Sequence, residues 1–376
     1  MAAHNWDELS RLVKTILSFL PLLLAQLFCA YTLLRQKNKV VWRECSSVFL
    51  FFAIGASISL ISQIYQVSGS LDGFLLTWVL PALPLIYLLS SSTVTLLCLA
   101  GMTWYACLLG YERLGAIPFM YLVVLLLLMP HYYKLLTTRS SSHSFYLLNW
   151  FLAISVTICL GSFTKGTSSW YEWVFLLYCL LFCIYYFIGR LEYFREKGVA
   201  ANPFLFIGMM GILVILLMWS FDFLWEDFDT LSKPGDLFND PLPYLIMIAL
   251  VAVVGLAWKN AKQQNGKPDD PTGFSFALFL VLIVAMGKHH ALAIIAINAW
   301  VFIIALHFIR RGSREDHLGI LNFGLVVMAA LAVCRFFDET IPFIWRGIFF
   351  VITGIGFFIA NYLMLQKRKK IIIQAK

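Results

Sequence analysis

The sequence predicts an all-α integral membrane protein, a polytopic helical bundle of about thirteen transmembrane helices with its N-terminus outside and its C-terminus cytoplasmic. Three observations carry this expectation. Hydrophobic residues fill 61% of the 376 positions and charged residues only 13%, about half the charged share of soluble domains. The apolar residues form long runs, such as YLVVLLLLM from Tyr121 to Met129 and LVILLMWSF from Leu213 to Phe221. Basic residues gather at alternate connections between the runs.

The runs dictate helices. Apolar stretches of about 18–20 residues match the hydrocarbon thickness. Backbone groups find no water there, so a span is a helix or part of a closed barrel. Continuous apolarity without period-2 alternation excludes the barrel. The candidate spans lie near 12–34, 45–66, 74–90, 92–110, 115–136, 145–164, 172–190, 203–222, 242–258, 273–287, 289–309, 317–336 and 342–365. The stretches 273–287 and 289–309 are split only by Gly287 and Lys288, and form either a tight hairpin or one interrupted span. Pro21, Pro81 and Pro84 fall inside spans and predict kinks rather than ends. At the N-terminus, residues 1–11 read as a helix start, with Asn5 as cap and Glu8 closing the box. The acidic Asp7 and Glu8 there do not suit the basic opening of a secretory signal.

Charge sets the orientation. If the loop RQKNKVVWR is cytoplasmic, the alternate segments on that side hold twenty of the 28 Lys and Arg, as the positive-inside rule requires. The basic tail 366–376 is then cytoplasmic, an anchor for anionic lipid headgroups. The net charge of +8 is therefore accounted for without nucleic acid. Trp42, Trp104, Trp170, Tyr171, Trp225, Trp258 and Trp345 lie near span ends and fit an interfacial aromatic belt. No segment is long enough for a separate soluble domain, so 1–376 reads as a single transmembrane domain.

The eight cysteines lie within or beside apolar runs, without a C-x-x-C pair, and read as small packing residues. No phosphate-binding G-x-x-x-x-G-K-[ST], H-E-x-x-H or G-x-S-x-G motif occurs. No cofactor is expected, and no ATP-driven motor within this sequence.

Polar groups at membrane depth are costly, about 2.5–3.5 kcal/mol for a central charge on insertion scales, and so mark candidate sites. In SQIYQVSGSLDG, Gln63 and Gln66 are i,i+3 on one expected helical face, and Tyr65 and Asp72 add polar groups. That set suits a sugar or polar headgroup, or else an interhelical network. In CRFFDET, Arg335 and Asp338 are i,i+3, and Arg346 follows at the start of the last span. They read either as a salt bridge or as a clamp on an anion. Asp222, Glu226 and Asp229 are spaced 0, 4 and 7, a weak metal set if helical and a solvated loop otherwise. His289 and His290 are adjacent and point apart on a helix, so they share no metal. Gly55-x-x-x-Ser59 and Gly356-x-x-x-Ala360 permit close helix contact.

NWDELSRLVK, SQIYQVSGSLDGFLLTWVLPALPLIYLL and RFFDETIPFIWRGIFFVITGIGFF together resemble the bacterial membrane proteins grouped as domain-of-unknown-function family 2157. The likeness covers roughly the first third and the last tenth of the chain. It implies a multi-pass protein of the bacterial inner membrane and supplies no activity or catalytic residues.

Three functions are compatible with these features. The first is transport or handling of a lipid or glycan-like substrate, without ATP, through an outer-leaflet cavity built by Gln63, Gln66, Asp72, Arg335 and Asp338. The second is a transferase at the outer face, with Asp72 or Asp338 as base and Arg335 on a phosphate. The third is a non-catalytic subunit or scaffold of an envelope complex. A non-enzyme is favoured. Expected partners are membrane lipids, with an envelope protein or a second copy beside them.

Overall fold

The computed structural model describes residues 9–112, 116–164, 171–195, 197–198, 201–226, 241–263, 270–285 and 290–337, with a few positions between 344 and 362. Among the described residues every regular element is helical. Nine of the helices are long and apolar enough to cross a membrane. The fold is that of an all-α polytopic membrane protein. Its contacts sort into two compact units, Met1–Ser169 with Gly198–Pro203, and Trp170–Lys197 with Phe204–Lys376.

The first unit holds α1 (Arg11–Arg35), α2 (Val40–Tyr65), α3 (Leu71–Leu88), α4 (Ser92–Cys107), α5 (Phe119–Thr138) and α6 (His143–Ser162). A single π turn, Leu108–Glu112, prolongs α4. Serine hydroxyls cap three starts: Ser10, Ser91 and Ser142 accept from Val13 N, Val94 N and Phe145 N, filling donors that a helix start leaves open. The cap of α1 is therefore Ser10; the expected cap Asn5 and its partner Glu8 lie outside the described residues.

Side-chain bonds fix the neighbours. Ser57 Oγ donates to Ser18 O at 2.8 Å and Cys29 Sγ to Ser46 O at 3.2 Å, so α1 and α2 run antiparallel. Trp78 Nε1 donates to Phe51 O at 2.7 Å, tying α3 to α2. A Cβ on Gly55 would lie 2.4 Å from Trp78 Cε2. Only glycine lets that ring sit against α2, the close approach expected from small-residue spacing. On the other side, Ser155 of α6 is a hub, with Thr103 Oγ1 at 2.6 Å and Tyr121 Oη at 2.8 Å.

The second unit holds α7 (Tyr171–Gly189), α8 (Glu192–Arg195), α9 (Pro203–Met218), α10 (Phe223–Glu226), α11 (Pro241–Gln263), α12 (Ser275–Ala285), α13 (His290–Arg314) and α14 (Leu318–Phe336). A 3-10 turn, Pro271–Phe274, leads into α12. A Cβ on Gly208 of α9 would lie 2.5 Å from Tyr186 N, so α7 and α9 meet backbone to backbone. Asn260 Nδ2 of α11 donates to Phe187 O of α7 at 3.1 Å.

The stretch 273–309 is two helices. Trp300 Nε1 donates to Ser275 Oγ at 3.0 Å. In one straight helix those residues would stand about 37 Å apart. The bond therefore supports the hairpin over the interrupted span. Each of the first twelve expected spans contains one of these helices, with ends shifted by a turn or two. The span expected at 203–222 stops at Met218. The thirteenth, 342–365, lies largely outside the described residues.

The aromatic belt needs one correction. Trp225 is only 1% exposed and packs on Trp219, ring centroids 4.9 Å apart, with its Nε1 donating to Trp219 O. It is a core residue. Trp104 and Trp258 are exposed, as a lipid-facing belt requires. All eight cysteines are free thiols.

Candidate functional site

A groove of about 1250 Å³ in the first unit is walled by α1, α2 and α3. Helical spacing explains the walls. Phe19, Leu22 and Gln26 (0, 3, 7) give one stripe of α1; Leu50, Ile54, Ser57 and Ile61 (0, 4, 7, 11) give one stripe of α2. Phe74, Thr77, Pro81 and Leu85 (0, 3, 7, 11) complete it from α3. Pro81 has no N–H for the Thr77 carbonyl one turn earlier, which leaves that oxygen without its helical donor at the groove.

The polar lining is uncharged. The hydroxyls of Ser57, Ser62 and Thr77 donate to backbone carbonyls, Ser18 O, Val67 O and Gly73 O. Their lone pairs remain available to an incoming donor. The side-chain amides of Gln26 and Gln63 have no hydrogen-bond partner among the described residues. Gln26 lies in the middle of α1 with its side chain exposed; facing hydrocarbon, an unpaired amide is expensive unless a polar ligand or water meets it. Among the described residues no Asp, Glu, Lys or Arg lines the groove.

The residues singled out in the sequence separate on this frame. Gln63 lines the groove, with Ser62, Gly69 and Gly73 of the same segment. Tyr65 stands beside it, its hydroxyl 3.2 Å from Thr15 Oγ1 of α1. Gln66 does not share the helical face of Gln63. The helix ends at Tyr65, and Gln66 turns left-handed (φ 51°) as the cap, with its N–H on Gln63 O and Val67 N on Ser62 O. That is a C-terminal closure usually made with glycine, invisible to i,i+3 counting. Asp72 occupies the first turn of α3, where the helix dipole favours an acid, and is not part of the lining.

Arg335 belongs to the second unit. It is 9% exposed, donates through Nη2 to Ser220 Oγ at 2.9 Å and lies 4.8 Å over the Phe221 ring. Asp338 and Arg346 lie outside the described residues, as does Asp229. Asp222 sits in the turn before α10, its carbonyl accepting from Trp225 N at 2.8 Å, and Glu226 ends that short helix. Among the described residues no group of three His, Cys, Asp or Glu could hold a metal.

Two polar clusters were not apparent from the sequence. Glu44 at the start of α2 reaches the start of α4, where its carboxylate accepts from Ser91 Oγ, Ser92 N at 2.9 Å and Thr93 N at 3.0 Å. Arg190 Nη1 lies 3.6 Å from the buried Asp270 and donates to Tyr186 Oη, while Asp270 caps the 3-10 turn through Thr272 N. Glu44 lies 47–49 residues from its partners, and Arg190 and Asp270 are likewise far apart in sequence, where spacing rules do not reach. Gln26 did carry a local signal, a single amide inside LPLLLAQLFCAY.

Comparison with known proteins adds one match. Residues 1–95 match the model of the family described as predicted membrane protein (DUF2157). Neither a search of curated proteins nor a search of solved structures finds a match. The matched segment contains every described residue that lines the groove, from Phe19 to Leu85.

Proposed function

We propose that this is a bacterial inner-membrane protein that binds and handles a lipid or glycan-like substrate, without ATP, in the groove of α1, α2 and α3. The observation that carries this reading is the pairing of long apolar walls with unpartnered amides at Gln26 and Gln63 in one groove. Its volume exceeds the roughly 300–1,000 Å³ of ordinary ligand pockets, which suits an elongated amphiphile. Hydrocarbon alone would fill an apolar groove between helices; amides at two depths favour a substrate carrying hydroxyl or amide groups. Among the described residues the lining carries no charged side chain, which favours binding over group transfer.

The test is lipid identification by native mass spectrometry after extraction into nanodiscs. The wild-type protein should retain one amphiphile enriched over the bulk lipid. Replacing both amides, Gln26→Leu with Gln63→Leu, should weaken retention by about ten-fold or more, since each removes a ligand hydrogen bond without unfolding an apolar helix. An unchanged lipid profile in the folded double variant would overturn the proposal and leave the scaffold reading.

A further inference from the structure

A second cavity lies in the other unit, at the C-terminal end of α13. It measures about 560 Å³ and is lined by Pro271, Ile303, Leu306, His307, Arg310, Arg311, Arg314 and Glu315. His307, Arg310, Arg311 and Arg314 are spaced 0, 3, 4 and 7, so one helical face presents three guanidinium groups and an imidazole. Ile303 and Leu306, one turn deeper, make the same wall apolar.

Among the described residues the charge in this cavity is not balanced. Among the described residues Glu315 is the one acid in the lining, and it is engaged by Arg311 Nε at 2.8 Å. Arg310 and Arg314 have no acidic partner among the described residues. Arginines at a helix C-terminus complement the helix dipole, and that alone would leave them scattered in solvent. Here they share a concave space with an apolar inner wall. Guanidinium forks match phosphate oxygens in a bidentate geometry, and basic pockets between membrane helices suit anionic headgroups.

We propose that this cavity binds a phosphate-bearing anion through Arg310 and Arg314, with Arg311 held in place by Glu315. The phosphate comes either from a phospholipid, whose chain would run along Ile303 and Leu306, or from a soluble phosphate ester. This site is independent of the groove in the first unit, so either reading can fail alone.

The test compares the purified wild-type protein with Arg310→Gln/Arg314→Gln and with Lys37→Gln/Lys39→Gln, which removes equal charge from the loop after α1. Each is reconstituted in phosphatidylcholine nanodiscs doped with phosphatidylglycerol, and retained phosphatidylglycerol is counted by native mass spectrometry. Inorganic phosphate is titrated in parallel by calorimetry in detergent. The arginine pair should weaken binding by about ten-fold per residue, and the lysine pair should leave it unchanged. Phosphatidylglycerol retained against excess phosphate assigns a lipid; displacement by phosphate assigns a soluble ester. Wild-type protein that prefers neither probe, or equal losses in both double variants, would overturn the site. Should the arginine pair not fold, Arg314→Lys reads the same site, keeping charge while losing the fork, and undiminished binding in it overturns the bidentate assignment.

Discussion

Glu44 joins two helices that are far apart in sequence, and it does so with one carboxylate. Its oxygens accept from Ser92 N, Thr93 N and the Ser91 hydroxyl, donors that an isolated α4 would leave open at its start. An anion at a helix N-terminus also meets the positive end of the dipole. Glu44→Ala removes three charge-assisted bonds at a half-buried site and leaves two backbone donors without partners. It should lower stability by about 1.5–3 kcal/mol, read as an earlier thermal transition in detergent. Glu44→Gln keeps an acceptor and should fall between the two. A melting curve unchanged in Glu44→Ala would show that the carboxylate contributes nothing. The same residue shows where sequence reading ends at this scale. Gln63 was legible, because a polar side chain in an apolar run stands out. Gln66 was misplaced, because a left-handed cap in a non-glycine residue leaves no pattern. Glu44 was invisible, since its partners lie 47–49 residues away.

At the scale of elements, hydrophobic run length located the helices, and interruptions located their ends. What run length could not decide was the path of the chain at 273–309. An apolar run broken by Gly287 and Lys288 is compatible with a bend or a reversal, and only a contact across the break distinguishes them. Ser275 and Trp300 supply it. The pair yields a measurable prediction. In a double-mutant cycle of Ser275→Ala and Trp300→Phe, the coupling energy should be on the order of 1 kcal/mol, the size of an interhelical hydrogen bond in membranes. A coupling of zero would place the residues apart and restore the single interrupted span. The short α9 and α12 belong to the same issue. At 16 and 11 residues they fall below the roughly 20 needed to cross hydrocarbon upright. α9 packs against α7 at glycine-to-backbone distance.

At the scale of the whole molecule, the family match covers residues 1–95 only, and the groove lies within it, while the arginine-lined cavity lies far outside it. Composition made the membrane fold legible because hydrocarbon leaves a chain so few options. The groove was harder to see, since it arises from stripes on three helices and no single stripe is diagnostic. Orientation rests on the distribution of Lys and Arg, and it can be tested together with the span count. If the N-terminus is outside and each of the first twelve expected spans crosses, the chain is outside again at Phe337, and a thirteenth crossing through 342–365 returns it to the cytoplasm. Described residues in that stretch, including Ile348 and Val351, are helical, in keeping with a crossing there. A fluorescent protein that matures only in the cytoplasm, fused after Phe337, should stay dark; fused after Lys376, it should be bright. Equal signals from both fusions would mean that 342–365 does not cross. A bright first fusion and a dark second one would invert the molecule, placing the arginines of α13 outside and Gln63 at the cytoplasmic face. The groove would then open to the inner leaflet, and its substrate would have to be sought among lipids exposed there.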